Sequence, residues 1–341
     1  PAPTISAGNA RADRWVLPGI ARFSRRGYTQ GKRHWNPMSA WMGDKHAVIT
    51  GATSGLGLAT AQSLAERGAA LTLVIRNESR AQELVNTLQR ETGNPNISVE
   101  IADLSLMSEV ERLVERLLRT GRPIDILVNN AGALFNERAL TPEGLEQSFA
   151  LLLLSPYRLT EGLKPLLLAA PQARVINVVS VGMYTQPLKV RWLQAREENY
   201  SGSVAYARCK RALMVLTEQW AEAWEDEGIV VNAMHPGWAD TPGVESALPG
   251  FHRITRRILR SPEEGADTIV WLAVATEAGK ASGELFLDRE PRTPHLLRKT
   301  EGDAAERDAL QPYLDSVTAA RPRQTPAKRR SGARKQAATA G

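Results

Sequence analysis

Residues 46–57 read His46-Ala47-Val48-Ile49-Thr50-Gly51-Ala52-Thr53-Ser54-Gly55-Leu56-Gly57, and this stretch decides the fold. The apolar, β-branched run at 46–50 predicts a buried strand. The residues from Leu56 to about Arg67 predict a helix. Three glycines lie between them, so we expect a glycine-rich turn that joins a strand to the N-terminus of a helix.

The glycine spacing, G-x-x-x-G-x-G, is typical of a turn that holds the pyrophosphate of a dinucleotide. Gly51 permits a tight turn, Gly55 lets the backbone approach a phosphate, and Gly57 lets the helix pack closely on the strand. The helix N-terminus adds N–H groups and a partial positive charge. We also assign the flanking residues Thr50, Ser54 and Leu56 to this expected cofactor-binding site. An ordinary glycine-rich turn without a ligand is the alternative.

The second predicted strand, 71–75, ends at Arg76, and this position distinguishes the two nicotinamide cofactors. An Asp or Glu here binds the ribose 2′-hydroxyl of NAD, whereas an Arg accommodates the 2′-phosphate of NADP. Arg76 therefore predicts NADP(H), with NAD as the less favoured cofactor. A solvated Arg at a strand end is the alternative. A lower KM for NADH than for NADPH would refute the prediction.

Tyr206 and Lys210 lie four residues apart in a stretch, 203–224, that has the length and apolar spacing of a long helix. Residues at this spacing share one helical face. A tyrosine hydroxyl has a pKa of about 10, and a nearby ammonium lowers it toward the range where proton transfer works. The pair therefore predicts a proton donor beside a cation, although the spacing alone is weak evidence.

From these motifs the chain resembles the short-chain dehydrogenase/reductase family over about residues 44–290. The family's motifs occur in order: Thr50-Gly51-x-x-x-Gly55-x-Gly57, Asp103-Leu104, Asn129-Asn130-Ala131-Gly132, Ser180, Tyr206-x-x-x-Lys210 and Pro236-Gly237-x-x-x-Thr241. A narrower resemblance, to the retinol-dehydrogenase-like branch of the family, rests on residues 235–244 and 249–252 and on the N-terminal extension.

The resemblance implies a role for each matching position. Ser180 would hydrogen-bond the substrate oxygen, Tyr206 would donate or accept its proton, and Lys210 would lower the Tyr206 pKa and bind the nicotinamide ribose. Asp103 would contact the adenine, Asn129 the neighbouring strand and the cofactor, and Thr241 the carboxamide. The remaining cofactor-binding residues implied by the motifs are Leu104, Ala131, Gly132, Pro236 and Gly237.

One position departs from the family pattern. Family members often carry an Asn on the helix after the fourth strand, where it organises a water that relays protons to the Lys. The aligned position here is Leu152, which has no polar atom. Hydride transfer remains chemically feasible, and we expect reduced turnover or a different water path.

Strands that alternate with helical stretches predict an α/β fold: a Rossmann-type, doubly wound, seven-stranded parallel sheet flanked by helices in a single domain. The expected helices run near 55–67, 78–91, 105–119, 141–169 and 203–226, with the seventh strand at 283–287. The expected divisions are a basic aromatic extension (1–43), the NADP-binding domain (44–300), a C-terminal helix (301–320) and a basic disordered tail (321–341).

The net charge of +6 is divided unevenly along the chain. Residues 1–43 contribute +6 and residues 321–341 contribute +7, which leaves a mildly acidic domain of −7. A basic tail can touch nucleic acid or anionic lipid, but it is more often solvated, and we expect no specific nucleic-acid partner. The aromatic N-terminal extension can lie on a membrane, but packing on the protein is favoured.

The sequence shows no signal peptide and no membrane span, so a cytoplasmic location is expected. One cysteine, Cys209, excludes an internal disulfide, and the five histidines lack metal-ligand spacing, so no metal is expected. Relatives associate through the long helices at 149–169 and 203–226, so a homo-oligomer is the default.

The segment from Trp238 to about Leu259 is rich in apolar residues and is expected to form a substrate lid. The sequence therefore predicts an NADP(H)-dependent oxidoreductase that moves a hydride between nicotinamide and a lipophilic aldehyde or ketone, or the alcohol in reverse. The alternatives are a cofactor-binding regulatory protein with weak catalysis, a sugar-nucleotide epimerase or dehydratase, and nucleic-acid binding through the tail.

Overall fold

The computed structural model describes residues 20–38, 40–240, 258–295, 300 and 302–319. The predictions for the basic tail, for the residues before 20, for Thr241 and for most of the substrate lid lie outside these residues.

The strands form one mixed sheet in the order β3-β2-β1-β4-β5-β6-β7-β8. Neighbours from β3 to β7 pair in parallel. The chain builds outward from β1 to β3 and then crosses back to β4, so the winding direction reverses between β1 and β4. The bounds are β1 His46–Thr50, β2 Ala70–Ile75, β3 Ile97–Ile101, β4 Ile126–Asn129, β5 Ala173–Val178, β6 Ile229–Met234, β7 Leu285–Leu287 and β8 Glu290–Arg292.

The prediction of seven strands was wrong by one, because β8 folds back antiparallel to β7. The two residues of the hairpin turn, Asp288 and Arg289, have φ angles of 55° and 58°. Glycine or asparagine usually marks such a turn in a sequence. Here the side chains hold it instead: Asp288 pairs with the buried Arg260, and both Nε and Nη2 of Arg289 donate to the Asp267 carboxylate.

Helices cover both faces of the sheet. One face packs against α3 (Gly55–Glu66), α4 (Ala81–Thr92) and α8 (Pro262–Val274), and the other packs against α5 (Met107–Thr120), α6 (147–168) and α7 (Gly202–Ala223). The other α-helices within the described residues are α1 (Ile20–Phe23), α2 (Arg25–Lys32), α9 (Ala304–Asp308) and α10 (Leu310–Ala319). Short 3-10 helices span Glu78–Arg80, Val181–Thr185, Val190–Trp192, Glu225–Glu227 and Ala278–Lys280.

The C-terminal helices pack over the two long helices. Leu310 and Leu314 are fully buried in the same core as α6 and α7. The Tyr157 hydroxyl on α6 donates to the Asp315 carboxylate at 2.9 Å, and Gln219 on α7 donates to the Arg307 carbonyl. Part of the surface expected to form a subunit interface is therefore covered by this chain itself.

The described part of the N-terminal extension packs on the domain, and Arg260 makes several of the contacts. The buried Arg260 guanidinium donates to the backbone carbonyls of Arg22 and Phe23 and also pairs with Asp288. Tyr28 is buried, and its ring meets Trp35 edge-on at 5.2 Å. None of the helices in the described ranges is long and apolar enough to cross a bilayer.

Candidate active site

A pocket of about 420 Å³ opens at the carboxyl ends of the strands, at the point between β1 and β4 where the winding reverses. Ligands bind at this point in open α/β sheets. One end of the pocket is formed by the glycine turn with Arg76 and Asp103, and the other by Ser180, Tyr206 and Lys210. The two motifs that lie far apart in the sequence therefore meet in one cleft.

The glycine turn has the conformation that its spacing predicts. Gly51 and Gly55 have φ angles of 69° and 55°, in the left-handed region. A Cβ on Gly57 would lie 2.2 Å from the Gly51 carbonyl oxygen, so only glycine lets α3 approach the turn. The α3 N-cap, Ser54, makes no side-chain capping bond, and the first turn holds no acidic residue. The first N–H groups of the helix are thus left for an anion.

Asn130, which the sequence analysis did not single out, locks the turn to the fourth strand. Its Nδ2 donates to the carbonyl oxygens of Thr50 and Gly51 at 2.8 and 3.2 Å. The Thr50 hydroxyl donates to the Val128 carbonyl and accepts from the N–H groups of Asn130 and Ala131. Thr50 therefore shapes the pocket floor from below, and Ala131 and Gly132 line the pocket directly.

Asn129 lies behind the pocket, not in its wall. It pairs with Asn177 on β5, as expected for a residue that contacts the neighbouring strand. Its Nδ2 donates to Asn177 Oδ1 at 2.8 Å and to Thr160 Oγ1 at 2.9 Å. The adjacent Ala131 and Gly132 line the pocket directly.

The outer end of the pocket carries exposed charge. Arg76 directly follows β2, is exposed, and lines the pocket. Asp103 and Leu104 follow β3 across from it, and one Asp103 carboxylate oxygen accepts from the N–H and hydroxyl of Ser105. The outer end of the pocket thus carries a basic side chain, Arg76, and an acidic one, Asp103.

The inner end brings together the serine, tyrosine and lysine. Ser180 caps the 3-10 helix that follows β5, and its hydroxyl accepts from the Gly182 N–H at 3.3 Å. Lys210 is buried, its Nζ donates to the Val178 carbonyl at 2.7 Å, and it lies 5.7 Å from the centre of the Tyr206 ring. Burial lowers the pKa of Lys210 to about 8.

The expected lowering of the tyrosine pKa is wrong for this structure. Burial raises the pKa of Tyr206 to about 12, and its hydrogen bond with Ser180 acts in the opposite direction. Desolvation disfavours the phenolate. The Lys210 ammonium is held on a backbone carbonyl, and it does not offset this cost. Tyr206 is therefore held in its protonated form, which suits proton donation to a carbonyl oxygen.

Leu152 lies in the interior on a π-helical turn, Ala150–Leu154. A Cβ on Gly132 would lie 3.0 Å from Leu152 Cδ2 and 3.8 Å from Lys210 Nζ. The leucine thus approaches the same glycine as the lysine, and it presents only methyl groups there.

Pro236 and Gly237 complete the pocket after β6. Gly237 has a φ of 71°, and a Cβ there would lie 2.6 Å from the Phe23 carbonyl. Beyond them, Trp238 and Asp240 exchange backbone hydrogen bonds with Arg260, so the two ends of the expected lid are joined. His235 lies between Phe23 and Tyr184, and burial lowers its pKa to about 3.

Within the described ranges, no three His, Cys, Asp or Glu side chains are grouped as metal ligands.

These features define a Rossmann-type oxidoreductase, and the chain belongs to the short-chain dehydrogenase/reductase family. The family model described as short chain dehydrogenase matches residues 45–249. The resemblance predicted from the sequence motifs is confirmed, and the class of reaction is oxidation and reduction between CH–OH and C=O.

Among particular proteins, the chain is 39% identical to dehydrogenase/reductase SDR family member 12 of Bos taurus, across 90% of this chain and 97% of the relative. It is 29% identical to retinol dehydrogenase 13 of Mus musculus, across 76% and 80% of the two chains. It is also 29% identical to polyprenol dehydrogenase of Homo sapiens, across 82% and 86%.

Two solved structures share the fold at 26% identity. L-sorbose reductase from Gluconobacter frateurii, complexed with NADPH and L-sorbose, matches with a TM-score of 0.59 across 73% of this chain and 95% of that one. RhlG of Pseudomonas aeruginosa, in an active-site complex with NADP, matches with a TM-score of 0.60 across 74% and 97%.

Proposed function

We propose that this chain is an NADP(H)-dependent oxidoreductase that reduces lipophilic aldehydes or ketones. In the reverse direction it would oxidise the corresponding alcohols. The observation that carries the proposal is the pocket itself, because Ser180, Tyr206 and Lys210 line one end while the glycine turn and Arg76 line the other. A dinucleotide needs both ends: a cradle for its phosphates and a reactive site for the carbonyl.

In this proposal, Ser180 orients the substrate oxygen by hydrogen bonding, and Tyr206 donates the proton to it. Lys210 binds ribose hydroxyls and supplies positive charge beside the tyrosine. The bound nicotinamide supplies the hydride. Tyr206 in its protonated form is the proton donor that carbonyl reduction requires.

The preference for NADP(H) rests on Arg76 at the end of β2. An exposed guanidinium in the pocket wall is suited to bind a 2′-phosphate by charge-assisted hydrogen bonds. The NADPH and NADP complexes of L-sorbose reductase and RhlG support the same choice. The backbone N–H groups of α3 and the residues Ser54, Gly55 and Leu56 would hold the pyrophosphate.

The lipophilic substrate is proposed from the inner wall and from the relatives. Phe135 and Leu151 line the pocket with Ser180 and Tyr206, and they offer an apolar surface to a carbonyl compound. Retinol and polyprenol dehydrogenases are among the similar proteins.

The proposed organisation is one catalytic domain at 44–300 with a C-terminal helical segment, 301–320, between two basic ends at 1–43 and 321–341. Thr241 is proposed as the carboxamide contact by family resemblance. The homo-oligomer and the cytoplasmic location stay predictions, tested by light scattering and by fractionation of cells that express the full chain.

The test is oxidation of NADPH and of NADH by the purified chain with a matched panel of substrates. We expect larger kcat/KM values for long-chain aldehydes and polyprenyl or retinoid carbonyls than for short polar ketones, and a lower KM for NADPH than for NADH. Equal rates across chain length would contradict the lipophilic pocket. Tight NADPH binding without any turnover would favour the regulatory alternative, to which the apolar Leu152 beside Lys210 also points.

A further inference from the structure

A small cavity adjoins the inner end of the pocket, and the two share Lys210, Ala131 and Leu151 in their walls. Its volume is about 10 Å³, room for roughly one water molecule. The other polar side chains that line it are Thr50, Asn129 and Ser155. The Thr50 hydroxyl is already engaged in three hydrogen bonds, which leaves Asn129 and Ser155 as the available groups.

Asn129 lines this cavity with a buried carbonyl oxygen, Oδ1, that has no hydrogen-bond partner among the residues that the structure describes. Rotating the Asn129 amide by 180° would lose its hydrogen bond to Asn177. Thr217 donates its hydroxyl proton to the Leu213 carbonyl, so its oxygen accepts from Asn177 Nδ2, and Asn177 Oδ1 in turn accepts from Asn129 Nδ2. Oδ1 is therefore the remaining acceptor, and leaving it dry costs free energy.

Lys210 lines the same cavity with a buried ammonium. An ammonium has three N–H donors, and one is used on the Val178 carbonyl. The titratable groups that face it on its own helix are Tyr206 and Cys209. Every residue that other elements contribute to the cavity wall is uncharged, and Arg76 and Asp103 belong to the outer end of the pocket. The charge is therefore in need of a nearby acceptor.

We propose that Asn129 Oδ1 and Ser155 Oγ hold a water molecule that accepts a hydrogen bond from Lys210 Nζ. This rear water, with no contribution from the side chain at position 152, keeps Lys210 charged in the working enzyme. The inference rests on the proposed function, in which Lys210 binds the cofactor and assists Tyr206. Asn129 and Ser155 are positioning residues that act through the lysine.

The test compares Ser155→Ala with Ser148→Ala. Both serines are buried on α6, but the Ser148 hydroxyl contacts Tyr200 and lies outside the walls of both cavities. Removing an acceptor from an ammonium lowers its pKa. We expect the alkaline limb of kcat/KM in Ser155→Ala to move about one pH unit downward, the size expected for one charge-assisted hydrogen bond. Ser148→Ala is expected to keep the wild-type limb.

A second readout needs no turnover. NADPH affinity, followed by fluorescence as pH rises, reports the Lys210 charge and is expected to show the same shift in Ser155→Ala. A crystal structure of the wild-type chain is expected to show an ordered water within hydrogen-bond distance of all three groups. A dry cavity, or the same pH limb in all three proteins, would overturn the proposal. An inactive wild type would count against the proposed function alone, since these two readouts remain.

Discussion

The two ends of the pocket differ in how far their charged and titratable side chains are exposed to solvent. At the outer end Arg76 is exposed to solvent and lines the pocket together with the glycine turn. At the inner end Lys210 is buried and Tyr206 is half-buried, and desolvation shifts both pKa values toward the neutral forms. The pocket therefore combines an exposed guanidinium at one end with a buried ammonium and a half-buried phenol at the other.

The largest difference from wild type is expected for the Lys210→Met variant. Turnover should fall by about 10²–10⁴-fold, because the variant lacks the charge beside Tyr206. Since burial lowers the lysine pKa to about 8, the folded state binds fewer protons than the unfolded state between pH 8 and about 10. Wild-type stability should therefore rise with pH in that window.

The stability of Lys210→Met supplies the check on this contrast. At pH 7 the variant should be more resistant to urea than wild type by roughly 1–3 kcal/mol, because the cost of a buried charge is gone. The gain should shrink above pH 8. A variant that is less stable than wild type at pH 7 would show that the lysine is not buried at a cost.

Arg76→Gln should affect the outer end alone. The KM for NADPH is expected to rise roughly 10–100-fold through loss of charge-assisted hydrogen bonds, while kinetics with NADH change little. Arg80→Gln is the matched control, since Arg80 is exposed on the next turn and does not line the pocket. Equal losses with both cofactors would mean that Arg76 does not read the 2′-phosphate.

The pH profile of carbonyl reduction should depend on the ionisation of the groups at the inner end only. Reduction uses protonated Tyr206 and charged Lys210, and the lysine, with the pKa nearer neutrality, discharges first. In the profile of kcat/KM, activity should decline as pH rises through about 8, and Arg76→Gln should leave that limb in place. A flat profile to pH 10 would contradict the assignment.

The smallest effect is expected from Leu152→Asn. If the rear water serves Lys210 from Asn129 and Ser155, an added amide at 152 should leave kcat within about twofold of wild type. Stability should fall by about 1–3 kcal/mol because an amide replaces packed methyl groups. A large gain in kcat at saturating NADPH would show instead that the missing Asn limits the enzyme.

Local sequence patterns were sufficient to predict the parallel part of the sheet and both motifs. The predicted strand at 46–50 and the helix from 55 match the structure, because a continuous apolar, β-branched run and the glycine spacing act over a few residues. The hairpin at Asp288 and Arg289 escaped prediction, since side-chain pairs from Arg260 and Asp267 hold its positive φ angles. Such contacts are distant in the sequence.

Asn129 and Asn130 show the same limit of prediction from local sequence at the site. The fourth strand includes Asn129, which lies in the interior, whereas the next residue, Asn130, binds the glycine turn. The two residues are adjacent and of the same type, so the sequence alone cannot separate their roles. The pKa of Tyr206 was missed for a related reason, because burial depends on the whole fold.

The most direct measurement is NADPH oxidation with a long-chain aldehyde by wild type and Tyr206→Phe, with NADPH binding followed by fluorescence in both. The account predicts clear turnover in wild type, a loss of about 10²–10⁴-fold in the variant, and similar NADPH affinity. Equal turnover in the two proteins would contradict the assignment of Tyr206 as the proton donor and, with it, the proposed use of the inner end.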